Sequence, residues 1–445
     1  MANEWLWERF NEYDRLEAIA DNDQSCLYRD MLQEYHRWRA VLVAQQIQPG
    51  EVVILESDFT IRSFALLLAL IENRNVIVPL TNINPEYRSE YLAITEADRI
   101  VNLSSQGFEI TTGHFAKTNE LLKRFGTQNE PGLILFTSGS SGKPKAALHN
   151  FTQLLNKYRP KKKSNRTLLF LLFDHIGGIN TMFHTLANGG TIIRANGKEI
   201  DSICGQIEKH RVELLPATPS FLTLLLLSEA YRNHDLSSLQ LITYGTEPMP
   251  DSLLVKLTEA LPQVRFKQTY GTSEVGILRI RSKSSDSTWV KLDTDEYGVK
   301  IVDNTLYIKA DTAMEGYLNA PTPFDEDGWY NTQDKVEVDG EFIKILGRES
   351  DLINVGGFKV FPAEIEDLIL QMPGIKNAVV FGEKSALTGN IVAVKVNIST
   401  NEDEISLKRR IRDFCKDKLK PFMIPAKVYI VETELFGARF KKLRH

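Results

Sequence analysis

The segment LILFTSGSSGKPKAALHN, residues 133–150, has the composition of a site for a polyphosphate. An apolar strand pattern, Leu133 to Phe136, runs into ten residues that hold two glycines, four hydroxyl side chains and two lysines. Glycine lets the backbone approach a ligand closely, hydroxyls and free N–H groups donate to phosphate oxygens, and Lys145 adds positive charge. An anion is the natural occupant. The loop is not a Walker A loop, because only two residues separate Gly139 from the Gly142–Lys143 pair and Pro144 stands where Ser or Thr would ligate magnesium. Taken alone, the stretch also fits a flexible Gly/Ser turn.

Such a loop must be held by rigid elements. From residue 50 onward short apolar strands, among them Val52–Leu55, Val76–Val78 and Leu133–Phe136, alternate with helical patterns, so a parallel α/β sheet is expected and the first 350 residues read as one large layered unit. After Asp351 the pattern changes. A helix from Pro362 to Met372, strands at Ala378–Phe381 and Ile391–Asn397, a helix from Glu404 to Leu419 and a strand at Lys427–Val431 describe a small α+β unit. The boundary is placed at Gly347–Asp351, giving domains 1–347 and 348–445.

At 445 residues, with 42% hydrophobic and 25% charged residues and a net charge of −5, the chain has an ordinary soluble composition without the basic excess of a nucleic-acid binder. KKKSNR at 161–166 is the single basic cluster and reads as a solvated loop. Cys26, Cys204 and Cys415 have no metal-ligand spacing, which implies a reduced compartment and no structural zinc. The apolar stretches Phe64–Ile71 and Phe221–Leu227 fall far short of the roughly 20 residues of a membrane span, and the N-terminus does not read as a signal peptide. A cytoplasmic location is expected.

Four more segments follow the phosphate-like loop: TYGTEPMP (243–250), TYGTSE (269–274), WYNTQD (329–334) and GRESDLINVGGFKVFPAEIE (347–366). With FTSGSSGKPKAA they resemble, in the same order, the signature segments of the adenylate-forming (AMP-binding) superfamily, in its acyl/aryl-CoA synthetase-like branch. The resemblance is strong over residues 130–366 and weak before them. It implies a large layered N-terminal domain and a small mobile C-terminal one. The implied activity is ATP-dependent conversion of a carboxylic acid to an acyl-adenylate, then transfer to a pantetheine thiol of CoA or of an acyl carrier protein.

By the same resemblance Thr137, Ser138, Gly139, Ser140, Ser141 and Gly142 wrap the β- and γ-phosphates with help from Lys145. Tyr270, beside Gly271, stacks on adenine, with Thr246, Glu247 and Pro248 on the other wall. Asp334 and Arg348 hold the ribose. Glu274, with Thr137, is implied as a magnesium ligand, and Ser273 as a phosphate contact. Lys441 in FKKLR matches the catalytic lysine, which donates to charge developing on the α-phosphate; Lys442 is one residue away. The hinge falls on Ser350, beside Asp351; Asp or Lys is more usual at the Ser350 position.

LLFDHIGGINTMFHTLANGG, residues 171–190, resembles the acid-binding segment of the acyl/aryl branch. A mostly apolar pocket drawn from Phe173, His175, Ile179, Phe183 and Tyr244 suits an aryl or medium fatty acid. Asp174 leaves an amino-acid substrate as an alternative, since peptide synthetase adenylation domains use a nearby Asp to hold the amine. Ala146, Gln333 and Phe440 stand where Gly is usual, and Ser273 where Thr is usual. These departures remove no charged group, yet they are what a non-catalytic binder of AMP or an acyl-adenylate would show.

Overall fold

The computed structural model describes residues 3–21, 24–81, 85–104, 107–138, 143–195, 197, 199–385, 388–432 and 435. Two seven-stranded sheets form the body. The first orders its strands 265–268, 241–244, 214–217, 166–169, 191–194, 17–21 and 24–27, parallel except for the last pair. The second orders 316–317, 144–150, 132–138, 76–80, 52–56, 99–104 and 107–112; only its middle pairings are parallel. Hairpins at its edges are what the alternating βα pattern does not announce.

Helices fill the space between these sheets. The helix Ile61–Glu72 is apolar all round, and Ser63 to Ile71 are all buried, as a helix without a polar face requires. Thr60 caps it by accepting from the Ser63 N–H at 3.1 Å. One continuous core joins it to the helices Tyr28–Ala44, Phe151–Asn156 and Ile176–Leu186, and to Leu133 and Leu135 beneath the phosphate-like loop. The loop therefore rises from a rigid base.

A third, wholly antiparallel sheet of six strands spans 280–348 and has its own core around Val290, Leu306, Ile308 and Val336. It was not expected from the sequence, where residues 280–348 read as part of one layered α/β unit. Its strand Phe342–Arg348 ends at a single turn, Glu349–Asp351, and the next strand, Ile353–Val355, belongs to a fourth sheet. That sheet is built on the hairpin Ile375–Ser385/Gly389–Ile398, longer on both sides than the expected strands, with Lys427–Ile430 alongside. Its two covering helices end earlier than expected, at Ile369 and Cys415. The hairpin Ile353–Val355/Phe358–Val360 was missed because Gly356 and Gly357, both at positive φ, make a turn too short to break the pattern visibly.

The helices Asp251–Ala260 and Pro362–Ile369 meet where the two units touch. Ser252 donates through its hydroxyl and its N–H to the Asp367 carboxylate, and Lys256 Nζ donates to the Leu370 carbonyl at 3.0 Å. Among the described residues no helix is long and apolar enough to cross a membrane.

Candidate active site

The strands 132–138 and 144–150 form a hairpin whose register sets Thr137 opposite Lys145 and Ser138 opposite Pro144. Its tip, Gly139, Ser140, Ser141 and Gly142, lies outside the described residues, as do Phe440, Lys441 and Lys442. The second strand is clamped from the side. Gly316 and Tyr317 pair with Leu148 and Ala147, the Ala146 N–H donates to Asn319 Oδ1 at 3.0 Å, and Asn319 Nδ2 donates to the Pro144 carbonyl at 2.9 Å. Ala146 is fully buried in extended backbone, so the missing glycine costs nothing there.

Lys145 Nζ lies 5.3 Å from the centre of the Tyr317 ring, a cation–π distance. The Tyr317 hydroxyl donates to Glu274 Oε1 at 2.5 Å. Burial pushes the Glu274 carboxyl up, but hydroxyl bonds from Tyr317 and Thr272 outweigh it and hold the group below its ordinary value. Glu274 is thus an ionised carboxylate beside the phosphate hairpin. It sits in the turn of the hairpin Tyr270–Thr272/Gly276–Leu278, next to half-buried Ser273. Gly271 is required here, because a Cβ would stand 2.4 Å from the Gly276 carbonyl oxygen and 2.7 Å from Ile277 Cα.

Tyr270, buried at 9% exposure, donates its hydroxyl to Asp334 Oδ2 at 2.5 Å, joining two residues 64 positions apart. Asp334 lies directly opposite Arg348 in the strand pair 330–339/342–348, and Arg348 Nε comes within 3.5 Å of Asp334 Oδ1. Burial raises the Asp334 carboxyl above its ordinary value; Arg348 and the Tyr270 hydroxyl oppose that rise without cancelling it. The preceding Gln333 is at φ +60°, the left-handed region where glycine is usual, and holds it with an N–H bond to Asn331 Oδ1 at 2.9 Å.

On the other wall Thr246 is at φ +72°, an outlying conformation for a β-branched residue. The Glu247 carboxylate accepts from the Ser220 hydroxyl at 2.5 Å and the Ser220 N–H at 3.2 Å, at the start of the helix Pro219–Ser228. Pro248 faces Gly347, whose φ is +136°, at the end of the strand that carries Arg348. Ser350 and Asp351 lie exposed in the turn that follows.

In the acid segment His175 caps the helix Ile176–Leu186, its Nδ1 accepting from the Gly177 N–H at 3.1 Å, which places the ring proton of the neutral form on Nε2. Phe173, Ile179 and Tyr244 are buried, and the Tyr244 hydroxyl has no hydrogen-bond partner. Phe183 is fully enclosed by Phe64, Phe151 and Tyr158. It is a core residue, and its sequence-level place in the pocket is corrected: three aromatic rings pack against it. Asp174 Oδ2 accepts from the Thr81 N–H at 3.3 Å.

The sequence reading did not single out Tyr317, Asn319 or Tyr330. Burial and the Glu274 carboxylate push the hydroxyls of both tyrosines up. Tyr330 lies inside WYNTQD and was available there; GYLN at 316–319, a glycine between the hairpin and the ribose segment, was the only signal for the others. His149, buried in the hairpin without a partner for either ring nitrogen, is pushed down to about 4 by burial despite the nearby Glu274 charge.

Known proteins share this fold. The chain is 23% identical over 493 residues to 2-succinylbenzoate–CoA ligase of Bacillus subtilis, covering 99% of this chain and 96% of the relative. It is 26% identical over 347 residues to the mitochondrial medium-chain acyl-CoA ligase of Mus musculus, covering 70% and 56%. Its fold matches the crystal structure of an anthranilate CoA ligase in complex with anthranoyl-AMP, with a TM-score of 0.82 at 17% identity over 100% of this chain and 95% of that one. Residues 6–319 match the AMP-binding enzyme family and residues 364–436 the AMP-binding enzyme C-terminal domain, so the chain belongs to the AMP-binding enzymes.

Proposed function

We propose that this protein is an AMP-forming acid–thiol ligase: it joins a carboxylic acid, aryl or fatty, to AMP and then passes the acyl group to the thiol of CoA. The observation that carries the reading is the joining of the Tyr270–Asp334–Arg348 group to the ionised Glu274 through one short hairpin, beside Lys145. The chain covers nearly the whole of a relative that acts as a CoA ligase, which supports the thiol step. An acyl-carrier-protein thiol is the second acceptor of the same chemistry.

The acid's carboxylate attacks the α-phosphorus of ATP and pyrophosphate leaves, so two anions must be brought together and the leaving charge spread. Lys145 and the hairpin N–H groups would receive the β- and γ-phosphates. Tyr270 would face the adenine, and Asp334 would accept from the ribose hydroxyls while Arg348 holds its free side. Glu274, an ionised carboxylate beside the hairpin that carries Thr137, would offer magnesium a hard oxygen with the Thr137 hydroxyl as a second, and the ion would supply charge neutralisation there. Lys441 would donate to the α-phosphate oxygens. The division into domains 1–347 and 348–445 then lets the small domain turn about Ser350 and Asp351, withdrawing Lys441 and admitting the thiol.

An acid without an α-amine is favoured because the spacing from His175 to the Asn188–Gly189 turn fits the acyl/aryl branch without gaps. The test is acid-dependent ATP–pyrophosphate exchange over aryl, fatty and amino acids, with Lys441→Ala as control. Exchange with aryl or fatty acids, lost in the variant, is the expected result. Exchange with amino acids only would move the assignment to that class. Silence with every acid while AMP still binds would establish a non-catalytic binder.

A further inference from the structure

A cavity of about 210 Å³ opens at the foot of the sheet that carries the phosphate hairpin, and Trp7, Ile71, Glu72, Arg74, Glu130 and Thr152 line it. Pro131 borders it too, and the strand Gly132–Ser138 starts at the next residue. Six residues at about 3.3 Å each carry that strand some 20 Å to the phosphate end of the site. The cavity and the reacting centre therefore lie at opposite ends of one strand.

Backbone bonds hold its walls. The helix Ile61–Glu72 ends here, and Arg74, at φ +60°, donates its N–H to the Ile71 carbonyl at 3.1 Å while its own carbonyl accepts from the Gly50 N–H at 3.0 Å. On the loop that leads into the strand, the Pro131 carbonyl accepts from the Phe151 N–H at 2.8 Å, and the Gly132 N–H donates to the Asn75 carbonyl at 3.0 Å. Side chains are fixed in turn. Asn3 Nδ2 donates to Thr152 Oγ1 at 3.2 Å, and the Thr152 hydroxyl donates to Glu130 Oε2 at 2.6 Å. Trp7 stacks on Tyr35 with ring centres 4.9 Å apart, and the Tyr35 hydroxyl donates to Glu72 Oε2 at 2.6 Å.

The charges divide into a satisfied pair and two that are not. Glu72 meets Arg39 Nε at 2.8 Å. Among the described residues neither Glu130 nor Arg74 belongs to an ion pair, with each other or with a third group, although both line the cavity. Their charged atoms thus stand more than 4.0 Å apart. The half-buried Glu130 carboxylate has a hydroxyl donor and no cation, which leaves part of its dehydration uncompensated. A ligand that carries an ammonium at one end and a carboxylate at the other answers both groups with charge-assisted hydrogen bonds. At roughly 30 Å³ per water the cavity has room for about seven waters, the size of a small amino acid.

We propose that this cavity binds a small aliphatic amino acid, its ammonium on Glu130, its carboxylate on Arg74 and its side chain against Trp7 and Ile71. The site is separate from the one that takes the activated acid, and it holds whichever acid that is.

The test is calorimetric titration of the full chain, saturated with AMP, with valine and leucine. Each is compared with its methyl ester, which lacks the negative charge, and with its N-acetyl form, which lacks the positive one. The free amino acid is expected to bind at least about tenfold more tightly than either derivative. Glu130→Gln should bring the amino acid down to the affinity of its N-acetyl form and leave that form unchanged; Arg74→Gln should do the same toward the ester. Affinity for AMP should stay within about twofold in both variants. No saturable heat up to about 10 mM amino acid would overturn the proposal, as would derivatives that bind equally well or variants that weaken all three forms alike. Variants that bind like the parent would also overturn it and place the ligand in another part of the molecule.

Discussion

Asp334→Asn separates the nucleotide role of this residue from a structural one. Its carboxyl is buried and raised above its ordinary value of about 3.9 by dehydration, against the pull of Arg348 and Tyr270. The folded state thus keeps a proton that the unfolded chain has released between the ordinary value and the raised one. Stability contributed by the protonated form falls as pH rises through that window, and at neutral pH the charged Asp334 is a net cost. Asparagine removes the cost and keeps an acceptor for the Tyr270 hydroxyl. The Arg348 pair it gives up involves a side chain about half exposed (52%), where such pairs are worth about 0–1 kcal/mol. The melting temperature at pH 7.5 should therefore move by no more than about 2 °C. Binding should suffer far more, since a hydrogen bond to a charged partner contributes about 1.5–3 kcal/mol. Calorimetric titration with AMP should show a loss of about 10- to 100-fold, at 1.4 kcal/mol per decade. Affinity within twofold of the parent together with a melting point lower by more than about 5 °C would refute the argument and make Asp334 a structural ion-pair member.

Tyr317→Phe removes the 2.5 Å bond to Glu274, the strongest of the bonds that hold that carboxyl down against burial, so its value rises. Stability held by the ionised Glu274 above its unfolded value should then be lost at a higher pH on acidification, and the acid limb of the exchange rate should move up with it, with about tenfold more magnesium needed for half-maximal exchange. Gly271→Ala forces a methyl group against backbone 2.4 Å away and should cost about 1–3 kcal/mol in urea unfolding together with most nucleotide binding. Lys441→Ala should slow adenylate formation by orders of magnitude in single-turnover assays and leave thioester formation from preformed adenylate nearly intact; the same pattern in Lys442→Ala alone would transfer the role.

How far the sequence could be read depends on whether the information was local. The run Leu133–Phe136 and the helix Ile61–Glu72 are legible because burial on all sides demands continuous apolar residues. The sheet at 280–348 is not, because its first four strands have only three to five residues and are partly exposed, so residue type reports little beyond the alternation in, for example, Tyr330–Asp339. Phe183 shows the opposite error. It lies one helical turn from Ile179 in a segment that carries chemistry, and only the packing of Phe64, Phe151 and Tyr158 reveals that it serves the core.

The site residues were visible as separate motifs, but their coupling was not. Asp334 and Arg348 belong to different motifs 14 positions apart in sequence, and antiparallel register makes them face each other. A slip of one residue would turn Arg348 to the opposite face of the sheet. The same register puts the turn Glu349–Asp351 immediately after the ribose pair, and Pro248, from the adenine wall, against Gly347. In the proposed swing about Ser350 and Asp351, the strand that holds Arg348 stays with the nucleotide while everything beyond the turn moves. The small domain can then exchange faces without letting go of the adenylate, because the two tasks fall on opposite sides of a single three-residue turn.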